Sequence, residues 1–181
     1  MPSYGILLLF RYDLFIPAGS RIPVFGIVFF FSFLLPVLNI LFLRWRKVIS
    51  TMEMDKREER TMPYLSTSVV YIVSFFMLKE ILPSPSVKFI MLGSAIGIVI
   101  TLIANYFYKI SAHMVGIGGL LGGVLFLSIT MGWHTHYEIM LLFLTAGILA
   151  GSRLALDAHN PFEIVTGFFA GFASQAFLLL L

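Results

Sequence analysis

Five stretches of this chain run for 18 to 21 residues without an Asp, Glu, Lys, Arg or His: 23–43, 61–78, 89–108, 114–131 and 164–181. A helix rises about 1.5 Å per residue and a bilayer's hydrocarbon core is about 30 Å thick, so about 20 mostly apolar residues suffice to cross it. Each stretch predicts a transmembrane helix. A sixth, 139–152, reaches crossing length when Leu154 to Leu156 extend it past Arg153. The expectation is an all-α polytopic membrane protein: a six-transmembrane-helix bundle over 23–181, preceded by a short N-terminal segment, 1–22. Within that segment the apolar run 4–16 contains Arg11 and Asp13 and is too short to cross, which predicts an interfacial or re-entrant piece. It lacks the positive start and small-residue cleavage site of a signal peptide.

Composition agrees and removes several classes. Hydrophobic residues make up 59% and charged residues 12%, against about 45–50% and about 25% in soluble domains. A net charge of +3 is too small for a nucleic-acid binder, and the absence of Cys removes disulfides, thiol chemistry and thiolate metal sites.

Six crossings fix which junctions share a face. Residues 44–60, 109–113 and 153–163 lie together on one face, side A; 79–88, 132–138 and both chain ends lie on side B. Side A holds eight Lys and Arg and side B four, which by the positive-inside rule puts side A in the cytoplasm. Setting aside Lys56, Arg60, Lys109 and Arg153 as residues of a site leaves four on each side, so orientation stays open. The localisation expected is a multi-pass plasma or inner membrane.

With no ionisable group inside the five clear spans, ion-coupled transport is disfavoured; the polar amides there are Asn39, Asn105 and Gln175. Chemistry is expected at a membrane face, and side A concentrates the candidates. Ser111-Ala112-His113 opens the fourth span, Ser152-Arg153 closes the fifth, and His159, Asn160, Pro161 and Glu163 open the sixth. Two helix N-termini with free N–H groups, Arg153 and the basic stretch Lys56-Arg57-Glu58-Glu59-Arg60 point to phosphate as the ligand. Glu163 lies one helical turn after His159, the spacing at which a carboxylate accepts one ring N–H and leaves the other nitrogen as a nucleophile. His113, from another helix, is placed to protonate a leaving oxygen. Arg153 and the helix N–H groups would stabilise the transferring phosphoryl group. This scheme calls for no metal and no cofactor.

The pattern Ser152-Arg153, five residues, His159, three residues, Glu163 resembles the Ser-Arg…His…Asp motif of the type 2 phosphatidic acid phosphatase superfamily, integral-membrane lipid phosphatases related to vanadium haloperoxidases and glucose-6-phosphatase. Ser111-Ala112-His113 resembles that family's Pro-Ser-Gly-His motif, with Ile110 and Ala112 in place of Pro and Gly. Glu163 stands where the family has Asp. The family's first motif has its nearest counterpart in Lys56…Arg60-Thr61-Met62-Pro63. The resemblance, over roughly residues 44–175, implies hydrolysis of a phosphomonoester or pyrophosphate through a phosphohistidine on His159. It implies His113 as general acid, Glu163 as the orienting group, and Arg153, Ser111, Ser152, Lys56 and Arg60 around the phosphate. The implied substrate is a lipid phosphate drawn from the surrounding membrane lipids: phosphatidic acid-like, a prenyl pyrophosphate or lipid A. The alternatives are a non-catalytic lipid-phosphate binder and, less favoured, a lipid or small-solute transporter.

Plainer readings stand beside these. Asn160-Pro161-Phe162-Glu163 is also a helix start, with Asn at N-cap, Pro at N1 and Glu at N3, and Ser111 also reads as a cap. The basic stretch doubles as a solvated, topology-setting loop, and Arg44, Trp45, Arg46 and Lys47 as interfacial anchors. His134 and His136 lack further ligands and read as an interfacial loop rather than a metal site. Glycines four apart (Gly93/Gly97, Gly118/Gly122, Gly119/Gly123, Gly147/Gly151, Gly167/Gly171) predict close helix packing within the bundle, and would also serve a homodimer face.

Overall fold

The computed structural model describes residues 2, 3, 5, 7, 17–51, 54, 56–81 and 84–176. Among them every regular element is helical: α1 Ala18–Trp45, α2 Arg57–Ile81, α3 Pro85–Asn105, α4 Ala112–Met131, α5 His136–Ala155 and α6 Pro161–Ala176. The first five are long and apolar enough to cross a membrane. α6 is described over 16 residues. The rest of the expected sixth span, 177–181, lies outside the described residues, as do Arg11, Asp13 and most of the run 4–16.

Two helix starts differ from expectation. The basic stretch is not a loop: from Arg57 onward it is the first turn of α2, where Glu58 and Glu59 favour a helix N-terminus. Arg60 therefore stands on a rigid helix. The third span starts ahead of its charge-free run, because Ser84 caps α3, accepting from the Val87 N–H at 3.4 Å, and Pro85 takes N1.

α1 bends its register around a proline. Pro36 has no N–H to give the Ser32 carbonyl four residues earlier, and the winding loosens to a π-type turn over Phe30–Leu34. The Tyr71 hydroxyl of α2 donates to that carbonyl instead, at 3.0 Å. Asn39 of α1 reaches Ser66 of α2 at 2.6 Å, so α1 and α2 are joined by polar contacts in an otherwise apolar interface.

The tightest seam joins α4 to α6. A Cβ placed on Gly122 would lie 2.6 Å from the Phe172 carbonyl oxygen, and one on Gly167 would lie 2.8 Å from that of Ser111. Gly118 and Gly171 face the opposing backbones, at Phe168 and Val115, still more closely. Without side chains at these four positions the two backbones meet directly. Gly93 of α3 faces the Gln175 amide and Gly97 faces Ser174, so α6 is wedged between α3 and α4. Buried apolar side chains fill the two flanks. Met114, Ile117, Leu121, Leu142, Ala146 and Ile164 knit α4, α5 and α6. Val24, Val28, Leu78, Met91 and Leu127 close the opposite end of the bundle. α5 packs along one stripe only, through Leu142 and Ala146, and a Cβ at Gly147 or Gly151 meets nothing within 4 Å. That pair takes no part in packing within the chain.

These contacts separate glycines that look alike in sequence. Gly122→Ala is expected to cost about 1–3 kcal/mol as an overpacking change, whereas Gly151→Ala is neutral or slightly stabilising through helix propensity. Thermal melting of both variants in one detergent checks the contrast.

Candidate functional site

The seam between α4 and α6 assembles the polar end of the bundle. The Ser111 N–H, at the start of α4, donates to the Glu163 carbonyl in the first turn of α6 at 3.3 Å, which holds the two helix N-termini side by side. α2 supports them from below. Arg60 is buried, giving Nε to the Met54 carbonyl at 2.8 Å and reaching the Ile110 carbonyl at 3.5 Å. Arg57 spans the Tyr106 and Phe107 carbonyls at 3.2 and 3.0 Å, and Asn105 returns a hydrogen bond to the Arg57 carbonyl at 2.9 Å. Tyr108 packs against Phe162.

His159 is placed by a single carboxylate oxygen. Its Nδ1 lies 2.8 Å from Glu163 Oε2, which also accepts the Asn160 N–H at 3.2 Å. The Glu163 N–H returns to Asn160 Oδ1 at 2.9 Å, completing a reciprocal capping box. The helix start and the histidine clamp are thus the same group. A carboxylate only accepts, so Nδ1 carries the ring proton and Nε2 keeps its lone pair. The His159 side chain is 5% exposed. Burial pulls its pKa below the ordinary histidine value; the Glu163 hydrogen bond and charge pull upward, while Arg60 and Lys109 push down. His159 is therefore neutral at pH 7.

The turn carrying it from α5 is equally defined. Asp157 adopts a left-handed conformation (φ 49°), with Ala158 N–H on the Arg153 carbonyl at 3.1 Å and Asp157 N–H on that of Leu154 at 3.0 Å. That is a Schellman closure, and it fixes Arg153 and His159 to one rigid junction.

His113 follows one residue after the start of α4 and is exposed, with Arg153, His159 and Arg60 near enough for their charges to act on it. Three more of the expected site residues, from three other helix ends, thus lie within electrostatic range of His113. Around them two buried polar atoms have no hydrogen-bond partner: Ser111 Oγ and Arg153 Nε. Ser111 is the N-cap residue of α4, yet its hydroxyl makes no capping bond. A buried hydroxyl or N–H lacking an acceptor carries a desolvation cost of about 1–3 kcal/mol. An oxyanion reaching either atom would supply the acceptor it lacks. The helix dipole accounts in part for Arg153, which sits in the last turn of α5, but not for its unpaired Nε.

The remaining expected residues fall outside this group. Ser152 turns its hydroxyl back to the Leu149 carbonyl at 2.8 Å. Lys56 is exposed, and its charge acts on Glu58 and Glu59. Conversely, Lys109, set aside in the charge count but given no role around the phosphate, acts on His159; its position beside the Ser-x-His stretch was the available signal. His134 and His136 stack 6.3 Å apart at the opposite end, after α4.

No protein-family model, curated protein or solved structure matches this chain.

The unsatisfied pair predicts anion binding. Orthophosphate at a hundred times its Kd is expected to stabilise the wild type by about 2.7 kcal/mol and to leave the melting temperature of Arg153→Gln unmoved. Sulfate serves as the parallel oxyanion, and a thermal scan at fixed ionic strength is the check.

Proposed function

We propose that the chain is a multi-pass membrane protein that hydrolyses a phosphate ester or pyrophosphate on a lipid, through a phosphohistidine on His159. The observation that carries this reading is His159 kept neutral by burial and fixed in one tautomer by Glu163, within electrostatic range of a His113 that also feels Arg153, whose Nε has no acceptor. The five apolar helices support the membrane placement, and the resemblance of Ser152-Arg153…His159…Glu163 and Ser111-Ala112-His113 to the type 2 phosphatidic acid phosphatases supports the chemistry.

In this mechanism the phosphoryl oxygens lie between Arg153, the Ser111 hydroxyl and the N–H groups opening α4 and α6. The His159 Nε2 lone pair attacks phosphorus as the P–O bond to the leaving group breaks. Protonated His113 gives its proton to the departing oxygen. Water then attacks phosphorus as the P–N bond to Nε2 breaks, His113 takes a proton from that water, and phosphate departs. Glu163 keeps the proton on Nδ1 and offsets the positive charge that develops on the ring. The family's shorter Asp would serve the histidine; the Glu found here also reaches back to the Asn160 N–H, as a capping box requires.

A second reading is a lipid-phosphate binder without turnover. The Ser152 hydroxyl is bonded to its own helix and the Lys56 charge acts on Glu58 and Glu59, and a phosphate cradle without these two is smaller than the full motif set implies.

Phosphate release by purified protein from phosphatidic acid, undecaprenyl pyrophosphate and lipid A, with chelator present, separates the two. His159→Ala is expected to abolish release and His113→Ala to lower kcat by about 10²–10⁴; no release from folded wild type favours the binder.

The pH profile is a further check. Protonated His159 is not a nucleophile, so kcat/KM falls on the acid side, below the ordinary histidine value because burial depresses this pKa. Glu163 raises that pKa and Lys109 lowers it. Glu163→Gln is therefore expected to move the acid limb to lower pH, and Lys109→Gln to move it to higher pH.

A further inference from the structure

One cavity is continuous with the candidate site and plays no part in phosphoryl transfer. It measures about 260 Å³ and runs into the bundle between α3, α4 and α6, with Ala112 and His113 at one end and Ile90, Val124 and Gln175 at the other. From His113 to Val124 the lining follows α4 for eleven residues, about 16 Å at the helical rise and about half a hydrocarbon core.

Its walls are apolar in effect even where they carry polar residues. Ser94 donates to the Ile90 carbonyl at 2.7 Å, Thr101 to Gly97 at 2.8 Å and Ser174 to Gly171 at 2.7 Å. The Tyr71 hydroxyl is spent on Ser32, and the Gln175 amide donates to Ile90 and Ser94. The lining donors are thus satisfied by helix carbonyls and by one another. A water or ion path needs polar groups free to coordinate, whereas an apolar cavity stays dry and takes apolar ligands; about 150 Å³ accepts a six-carbon ring. Scaled by volume, 260 Å³ accepts about ten carbons. That is part of one chain and too little for two side by side.

Two glycines of α4 that line the cavity, Gly119 and Gly123, stand at the edge of the α4–α6 seam. Cβ atoms on them would make ordinary contacts, 3.5 Å to the Gly171 carbonyl oxygen and 3.5 Å to Gln175 Oε1 respectively. Nothing in backbone packing therefore demands glycine at either position, unlike Gly118 and Gly122.

We propose that this cavity holds the first ten or so carbons of a single apolar chain whose phosphate end lies at His113 and His159, with Gly119 and Gly123 setting how far the chain enters. The headgroup half of this inference rests on the phosphatase reading; the chain half does not.

The test uses the full chain in phosphatidylcholine nanodiscs with two readouts. In the first, linear alkyl phosphates of four to sixteen carbons are assayed for phosphate release. Delivered from water, each methylene that enters is expected to raise kcat/KM by up to about fourfold, levelling near ten carbons. In Gly119→Val and Gly123→Val the break is expected at shorter chains, although partitioning into the nanodisc is unchanged. In the second, a non-hydrolysable decylphosphonate with a diazirine near its tail is photo-crosslinked to the wild type. Labels on the α3, α4 and α6 cavity walls are expected. Labels confined to the outer face of α5, or a break that neither variant moves, overturn the chain site while wild-type phosphate release keeps the phosphatase reading alive. Cavity labels without hydrolysis of any substrate keep the chain site and remove the phosphatase reading. Because labelling needs only the wild type, a variant that misfolds does not rescue the idea.

Discussion

Direct backbone contact between α4 and α6 underlies everything at the polar end of this molecule. Gly118 and Gly122 on one helix and Gly167 and Gly171 on the other remove the side chains that would hold two helices apart. At that separation the Ser111 N–H reaches the Glu163 carbonyl. His113 is then fixed relative to Ser111, and His159 relative to Glu163. The seam is apolar and the site polar, yet the second has its geometry only because the first closes. Adding a methyl group at Gly171 would therefore be felt at His113, two residues from the Val115 carbonyl it would meet, and at His159, about three helical turns away.

Glu163 concentrates two demands in one oxygen. The same Oε2 ends the orphaned N–H set of α6 and fixes the His159 tautomer. A group that caps a helix is held by the helix in return, so the imidazole is oriented without a separate support. Arg153 is treated likewise: the Schellman turn around Asp157 closes α5 on the Arg153 carbonyl, and the Arg153 charge acts on His113. In both cases the device that ends or starts a helix is the device that positions a functional side chain.

How much of this was legible in the sequence depends on the range of the interaction. The His159–Glu163 contact follows from helical spacing, as does the Asn160 capping box, because both are settled within one turn. Charge-free runs locate helices well, since lipid-length apolar stretches have few alternatives, but they place ends poorly. α2 begins at Arg57 rather than at the first uncharged residue because acidic residues favour its first turn. The glycine pairs show the limit most clearly. Gly118/Gly122, Gly119/Gly123 and Gly147/Gly151 have identical spacing, yet one is a backbone seam, one lines a cavity and one faces outward. Rotation of a helix about its axis is set by partners distant in sequence, and an all-round apolar helix carries no polar stripe to reveal it. The partnerless Ser111 hydroxyl and Arg153 Nε were illegible for the same reason: whether a polar atom lacks a partner is known only once every neighbour is placed.

α5 is held along a single stripe, while Met140, Leu141, Leu144 and Ile148 face away from the chain. Of the helices that build the site it has the least protein around it, and it delivers Arg153. In a bilayer whose thickness differs from the apolar length of α5, tilting this helix is the cheapest way to relieve the mismatch. The guanidinium would swing with it, relative to histidines anchored on the α4–α6 seam. Under the phosphatase reading proposed above, host-lipid chain length then becomes a control on turnover, visible as a rate optimum across bilayers of graded thickness with the substrate held constant.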